Sequence, residues 1–326
     1  THTLIQKSVQ FDHLGLVVID EQHRFGVQQR LKLQQKGFHP HLLNMTATPI
    51  PRTLSLTLHG DLDVSQIDEL PTGRKPIVTK VMTQKNRHKV NEVIRLNLAL
   101  EHQMFVVLPL VEASESLELE SVIEAYARYQ EQFPDHAVGL LHGQMKTEEK
   151  QSAIAQFRNH QTQILVSTTV IEVGIDIPNA TVIVIEHAER FGLSQLHQLR
   201  GRVGRGQAQS YCLLMNASDS TTARERLEVL ERSADGFAIA EIDLQLRGAG
   251  EILGTSQAGA PKFAVASQLR SALNADLVKN AAILEQARAA AEQVVQKGER
   301  LRHWDLLLQE ATRRNHQKLN SDVALN

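Results

Sequence analysis

The chain holds a single cysteine, Cys212, in 326 residues, so an internal disulfide framework is excluded, which suits a reducing compartment. Cys212 lies in the strand-like run 210–215, where a buried structural thiol is expected and a nucleophile is not. Aromatic residues amount to only 4 %, which leaves little surface for stacking on bases. Neither sign of charge is in excess: the formal net charge is −2, so any contact with a polyanion has to be confined to a local basic groove. No apolar run approaches the length of a membrane span, and the polar N-terminus has no signal-peptide pattern. No Gly-Lys-Ser or Gly-Lys-Thr occurs, so the phosphate-cradling G-x-x-x-x-G-K-[ST] loop is missing as well. Together with Thr1 in place of Met, that gap is expected of a fragment beginning inside a domain.

What is present is the composition of a soluble globular protein, 42 % hydrophobic and 22 % charged, long enough for about two domains. Apolar runs at 14–19 and 41–46 read as strands around a polar helix at 27–35, the first of them a continuous buried strand of the parallel kind. Residues 71–76, rich in Pro, Gly and charge, read as a linker. A strand–helix rhythm then restarts, with strands at 77–82, 104–108, 138–141, 163–167 and 180–185 and helices at 85–101, 117–132 and 146–158. That alternation predicts right-handed crossovers and a parallel sheet. Beyond residue 217 the pattern turns helical, at 222–233 and 237–247. A glycine-punctuated loop follows, then an alanine-rich helix over 276–297 closed by Gly298, and helical spacing from Leu301 to Ala311.

Two clusters carry chemistry. The run Leu14-Gly15-Leu16-Val17-Val18-Ile19 ends in Asp20 and Glu21. A carboxylate delivered from the carboxyl end of a strand can hold Mg²⁺ while its neighbour orients an attacking water. On the pair alone, the first turn of a helix, where acidic residues are also favoured, is an equal reading. The second cluster spans Gln195 to Gly206, with Arg200, Arg202 and Arg205 interleaved with Gly201 and Gly204. Glycines there would weaken a plain solvated basic helix, so the spacing is expected to bring several guanidinium groups to one point.

Gln22 and His23 turn the acidic pair into D-E-Q-H, which resembles the second motif of the superfamily 2 helicases and translocases, two-domain motors. Thr46-Ala47-Thr48-Pro49 resembles their third motif, residues 166–178 the fifth, and Gln198-Leu199-Arg200-Gly201-Arg202-Val203-Gly204-Arg205 the sixth. Longer runs at 18–30, 46–54 and 186–206 closely resemble the RecG family of ATP-dependent DNA helicases. Residues 68–76 are similar to its interdomain linker, and 243–259 to the translocation motif it shares with the transcription-repair coupling factor.

The resemblance implies an α/β fold: a partial RecA-like domain over 1–72, a complete RecA-like parallel-sheet domain over 73–217, and a C-terminal helical translocation element over 218–326. It implies ATP and Mg²⁺ as cofactors, Asp20 and Glu21 as catalytic carboxylates with Asp20 toward the metal, and Arg202 and Arg205 as arginine fingers. Gln22, His23, Thr46 and Thr48 would couple hydrolysis to movement; Gly174, Asp176 and Gln198 would touch nucleotide. His142, Lys146, Thr168 and Thr169 would contact DNA backbone, and Arg247 and Gln257 would serve translocation. The implied partner is branched duplex DNA, forks and Holliday junctions. The implied setting is cytoplasmic and monomeric, without membrane, and with activity dependent on an upstream wedge and phosphate-loop region. Two other readings stay open on the sequence: a transcription-repair translocase acting on RNA polymerase, and a non-catalytic DNA-binding module derived from a motor. For several of these residues a plain structural role, such as a strand-end cap for Thr168 and Thr169 or a core position for His23, also stays open.

Overall fold

The chain divides into two units, residues Thr1–Val64 with Leu244–Asn326, and residues Ser65–Asp243. The computed structural model describes residues 2–21, 25–47, 63–67, 69, 73–109, 115–168, 176–247, 286, 289–298 and 302–323.

In the first unit, β1 (Leu16–Ile19), α1 (Val27–Gln34) and β2 (His41–Asn44) form a strand–helix–strand unit, and the two strands pair in parallel from Leu16↔His41 to Ile19↔Asn44. The run expected to be buried along its whole length alternates instead. Val17 and Ile19 are buried, whereas Leu16 is 56 % and Val18 50 % exposed. Successive strand residues point to opposite sides, so a two-stranded ribbon with one covered face buries only every second side chain. Lys36, just after α1, donates from Nζ to the carbonyls of Gln6 and Val9 and so ties the first residues to the helix. Residues 289–297 are helical, and Gly298 takes φ +46°, the left-handed C-cap conformation expected of it. A last helix, which is α8 in chain order, covers Trp304–Val323.

The second unit is built on six parallel strands: β3 (Val78–Thr83), β4 (Gln103–Val107), β5 (Val138–Leu141), β6 (Ile164–Ser167), β7 (Ala180–Ile185) and β8 (Tyr211–Asn216). Their order across the sheet is β3-β8-β7-β4-β6-β5. The helices are α2 (Arg87–Ala99), α3 (Glu115–Gln132), α4 (Thr147–Arg158), α5 (Leu193–Arg200), α6 (Thr221–Arg232) and α7 (Gly236–Arg247). Side chains alternate between two cores, as the pleat requires. Val182 and Val184 of β7 pack with Val90 and Ile94 of α2 and with Val122 and Tyr129 of α3. Ile183 and Ile185 pack instead with Phe157 of α4, Leu196 of α5, Leu227 of α6 and Ile239 of α7. The central strands are therefore buried on both faces, which explains their unbroken apolar runs. Cys212 lies in this interior, and burial pushes its thiol up to about 12, so it is an inert packing group.

Among the described residues, no helix is long and apolar enough to cross a membrane, and no group of three or more His, Cys, Asp or Glu is placed to hold a metal ion.

Candidate nucleotide and DNA site

At the edge where β1 ends, Asp20 Oδ1 accepts the backbone N–H of Glu21 at 2.9 Å. Glu21 stands at φ +51°, the left-handed region that a non-glycine residue enters only under constraint and that clusters at functional corners. Thr46 follows β2 on the same edge, since Met45 N–H donates to Ile19 O at 2.7 Å. Asp20, Glu21 and Thr46 are thus gathered at the carboxyl ends of two parallel strands. Gln22, His23 and Thr48 lie outside the described residues.

In the second unit, residues 195–200, the first half of the arginine cluster, complete α5. Arg200 does not join the arginine group. It falls on the buried stripe of that helix, one turn after Leu196 and two after Leu193, and is only 6 % exposed. Its Nη1 donates to Leu230 O and Ser233 O at 2.8 Å each, satisfying carbonyls at the end of α6. Its Nη2 meets His197 Nδ1 at 2.7 Å. Helical periodicity turns Arg200 inward, which the spacing of the arginines along the chain did not reveal.

Past α5 the chain makes a tight turn anchored by Val203, which is fully buried, with Gly204 at φ +75°. Arg202 is half-buried and Arg205 partly exposed on either side of it. Arg205 Nη1 pairs with Asp176 Oδ1 at 2.9 Å, uniting two of the expected nucleotide-site residues. Arg74 Nε donates to Gly204 O at 2.7 Å and Gln209 Nε2 to Pro76 O at 2.8 Å, so the segment read as a linker is fastened to this turn. A Cβ on Gly204 would stand 2.8 Å from Ile77 Cγ1, in a backbone region that L side chains rarely adopt. Gly204→Ala is expected to destabilise the unit by about 2 kcal/mol, read from its urea midpoint. Gln198 sits half-buried on α5.

Where β5 and β6 end, Thr168 N–H donates to Leu141 O at 3.2 Å and places Thr168 beside His142. Thr168 Oγ1 and His142 Nδ1 are both buried without a hydrogen-bond partner among the described residues. Lys146 is exposed before α4, its N–H held by Glu149 Oε2 at 2.8 Å, and Lys150 Nζ reaches Gly143 O at 2.5 Å. Thr169, Gly174 and Gln257 lie outside the described residues. Arg247 ends α7, and its side chain is likewise outside them.

Two family models match: "Helicase conserved C-terminal domain" over residues 86–207, and "ATP-dependent DNA helicase RecG, domain 3, C-terminal" over residues 233–322. The ATP-dependent DNA helicase RecG of Synechocystis sp. is 60 % identical over 293 residues, which are 90 % of this chain and 34 % of that protein. The chain belongs to the RecG helicase family. The RecG of Aquifex aeolicus is 49 % identical over 92 % of this chain and 38 % of its own length. The chain thus spans little more than a third of either of these relatives. A structure described as RecG bound to a three-way DNA junction aligns with a TM-score of 0.66 at 44 % identity, over 87 % of this chain and 35 % of that one. Saccharomyces cerevisiae Dbp5 bound to RNA and ADP BeF3 shares the fold alone, at 16 % identity and a TM-score of 0.52, over 73 % of this chain and 61 % of that one. The chain is a motor region of the RecG family, with a six-stranded parallel sheet, a small two-stranded sheet and C-terminal helices.

Within this RecG-family motor region, reading by motif missed the residues that hold the site rather than form it. Arg200 is one, and the position of Leu193 and Leu196 on its helix face was the available signal. His197 is another. Burial first, then the Arg200 guanidinium, lower it to about 4 against the pull of Asp235, so its ring is neutral and Nδ1 accepts from Arg200. In the unfolded chain the same ring protonates near its ordinary value of 6.5. Between those values the unfolded state binds more protons, so stability rises with pH and is lost on acidification. Unfolding free energy is expected to fall by up to about 3 kcal/mol between pH 6.5 and 4 from this group. His197→Asn, which keeps an acceptor at the Nδ1 position, is expected to flatten that part of a urea-unfolding pH series.

Proposed function

We propose that this chain is the motor portion of an ATP-dependent DNA helicase that remodels forks and Holliday junctions by branch migration in the cytoplasm. The observation that carries the reading is the Arg205–Asp176 pair beside an arginine segment clamped through Arg200. Arg200 is anchored in the interior, while Arg205 is held near the surface by a partly exposed ion pair at 2.9 Å and by a 3.3 Å hydrogen bond from Nε to Gly201 O. Such a pair is worth at most about 1 kcal/mol, so a γ-phosphate could draw Arg205 away from it. Arg202 and Arg205 then serve as arginine fingers, with Asp176 and Gln198, and Gly174 outside the described residues, on the nucleotide side.

The acidic corner fits Mg²⁺ held by one carboxylate together with phosphate oxygens. Asp20 uses Oδ1 to fix Glu21, and its other oxygen would hold the ion. ATP supplies the transferable phosphoryl group. Glu21, held by its constrained backbone, orients the attacking water, and Thr46, with Gln22, His23 and Thr48, passes the change onward. His142, Thr168 and Lys146, with Thr169, contact duplex backbone without reading bases. Arg247 and Gln257 act in a translocation element over 218–326, which follows in sequence the motor domains over 1–72 and 73–217. Support for a branched substrate comes from the RecG relative bound to a three-way junction. The family match over 233–322 favours this reading over a polymerase-displacing translocase.

The test is a hybrid in which this chain replaces the matching region of the Synechocystis relative. DNA-stimulated ATP hydrolysis and junction unwinding are expected, with both abolished by Glu21→Gln. The chain alone, lacking Gly-Lys-Ser or Gly-Lys-Thr, is expected to hydrolyse no ATP. A folded, DNA-bound hybrid without ATPase activity would point instead to a non-catalytic module.

A further inference from the structure

The peptide that leads into Arg205 is held from outside the arginine motif. Gly204 is buried, and its carbonyl oxygen accepts from Arg74 Nε at 2.7 Å. Among the described residues, no other donor reaches that oxygen. A buried carbonyl needs a partner, and a guanidinium supplies a strong, charge-assisted one. This oxygen belongs to the planar unit that joins Gly204 to Arg205. Fixing it therefore fixes the direction in which the chain enters Arg205.

The surroundings leave this peptide little slack. Gly204 and Gly206 flank Arg205 in sequence, and neither has room for a side chain. A Cβ on Gly204 would meet Ile77, and one on Gly206 would stand 2.6 Å from Pro178 O. Pro178 follows Asp176 by two residues, and Asp176 Oδ1 accepts from Arg205 Nη1 at 2.9 Å. The turn is thus in close contact with residues 74–77, which precede β3, and with residues 176–178, which precede β7. A shift of the Gly204 carbonyl passes to the Arg205 side chain, because close-packed neighbours absorb little of it.

We propose, resting on the assignment of Arg205 as an arginine finger, that Arg74 is a positioning residue for it. The bond from Arg74 Nε to Gly204 O sets the aim of the finger from the segment read as the linker. A catalytic group misplaced by about 1 Å loses on the order of a hundredfold in rate, so this one bond matters more to turnover than to the fold. Gln209 fastens the same segment at Pro76 O, four residues beyond the finger and away from the Gly204–Arg205 peptide.

The experiment measures steady-state ATP hydrolysis by the Synechocystis hybrid carrying Arg74→Gln. Its kcat is expected to fall about tenfold or more while KM for ATP changes by less than about twofold, because a finger acts on the transition state. Added to Arg205→Ala, Arg74→Gln is expected to cause no further loss, since no finger is left to aim. Arg74→Lys keeps a cation but not the planar Nε donor, and a smaller loss of the same kind is expected where Arg74→Gln disturbs folding. Gln209→Ala is the structural control, with kcat expected to stay within about twofold of the parent hybrid. An unchanged kcat in Arg74→Gln, a rise in KM alone, a loss that multiplies with that of Arg205→Ala, or an equal loss in Gln209→Ala would overturn the proposal. If Arg205→Ala alone left kcat unchanged, the finger assignment would fail first and the role of Arg74 with it.

Discussion

Replacing Arg205 by alanine is expected to lower the DNA-stimulated ATPase of the Synechocystis hybrid about a thousandfold, as loss of an arginine finger does. Its effect on unfolding free energy is expected to be less than about 1 kcal/mol. The two halves of this result belong together. Arg205 pairs with Asp176 in a partly exposed position, where solvent screens the attraction, so the fold loses little when it goes. Charge developing on a transferring phosphoryl group is a different matter, since a guanidinium aimed there acts in a water-poor site. Arg200→Ala is the internal contrast. It leaves Leu230 O, Ser233 O and His197 Nδ1 without their buried donor, so its damage is read in stability first. Stopped-time ATPase assays and urea unfolding on both variants check the pair of expectations. Equal destabilisation by both variants would remove the case for Arg205 as a finger.

Glu186→Ala is expected to destabilise the second unit by about 3–5 kcal/mol, a loss measured as a lowered urea midpoint of the chain. Arg87 and Arg128 would lose the one carboxylate oxygen they share, and Arg87 would be left charged in the interior. Both guanidiniums also stack over the Tyr129 ring at 5.6 Å, a contact that does not replace a counter-charge. The penalty comes from the orphaned charge more than from the lost attraction. A double replacement, Arg87→Met with Glu186→Leu, is therefore expected to recover most of the loss, because both charges leave the interior together. If the double variant were as unstable as the single one, packing around Tyr129 would be the cause instead.

Much of this architecture was legible before any coordinates. Runs such as 180–185 and 104–108 read as strands, and their alternation with helices implied a parallel sheet. The reading failed where local pattern leaves geometry open. The run 14–19 looks like the central strands in composition, yet Leu16 and Val18 are exposed, because burial depends on what covers a face and not on the residue in it. Arg200 looks like Arg202 and Arg205 in the motif, yet two turns of helix carry it to the opposite side. The Glu186 cluster was invisible, since Arg87, Arg128 and Glu186 are far apart along the chain and meet only through β7 and its flanking helices.

What the sequence by itself determined was the kind of machine: an ordered set of motifs, the alternation that demands a parallel sheet, and the lack of a phosphate loop. Those features are local, and spacing along the chain is enough to specify them. Tertiary structure alone decided that Arg200 is a buried clamp while Arg205 pairs with Asp176 near the surface. It also decided that His197 stays neutral down to about pH 4, and that Arg87 and Arg128 share one oxygen of the buried Glu186. Burial, counter-charge and the sharing of one acceptor by several donors are properties of residues brought together from distant parts of the chain.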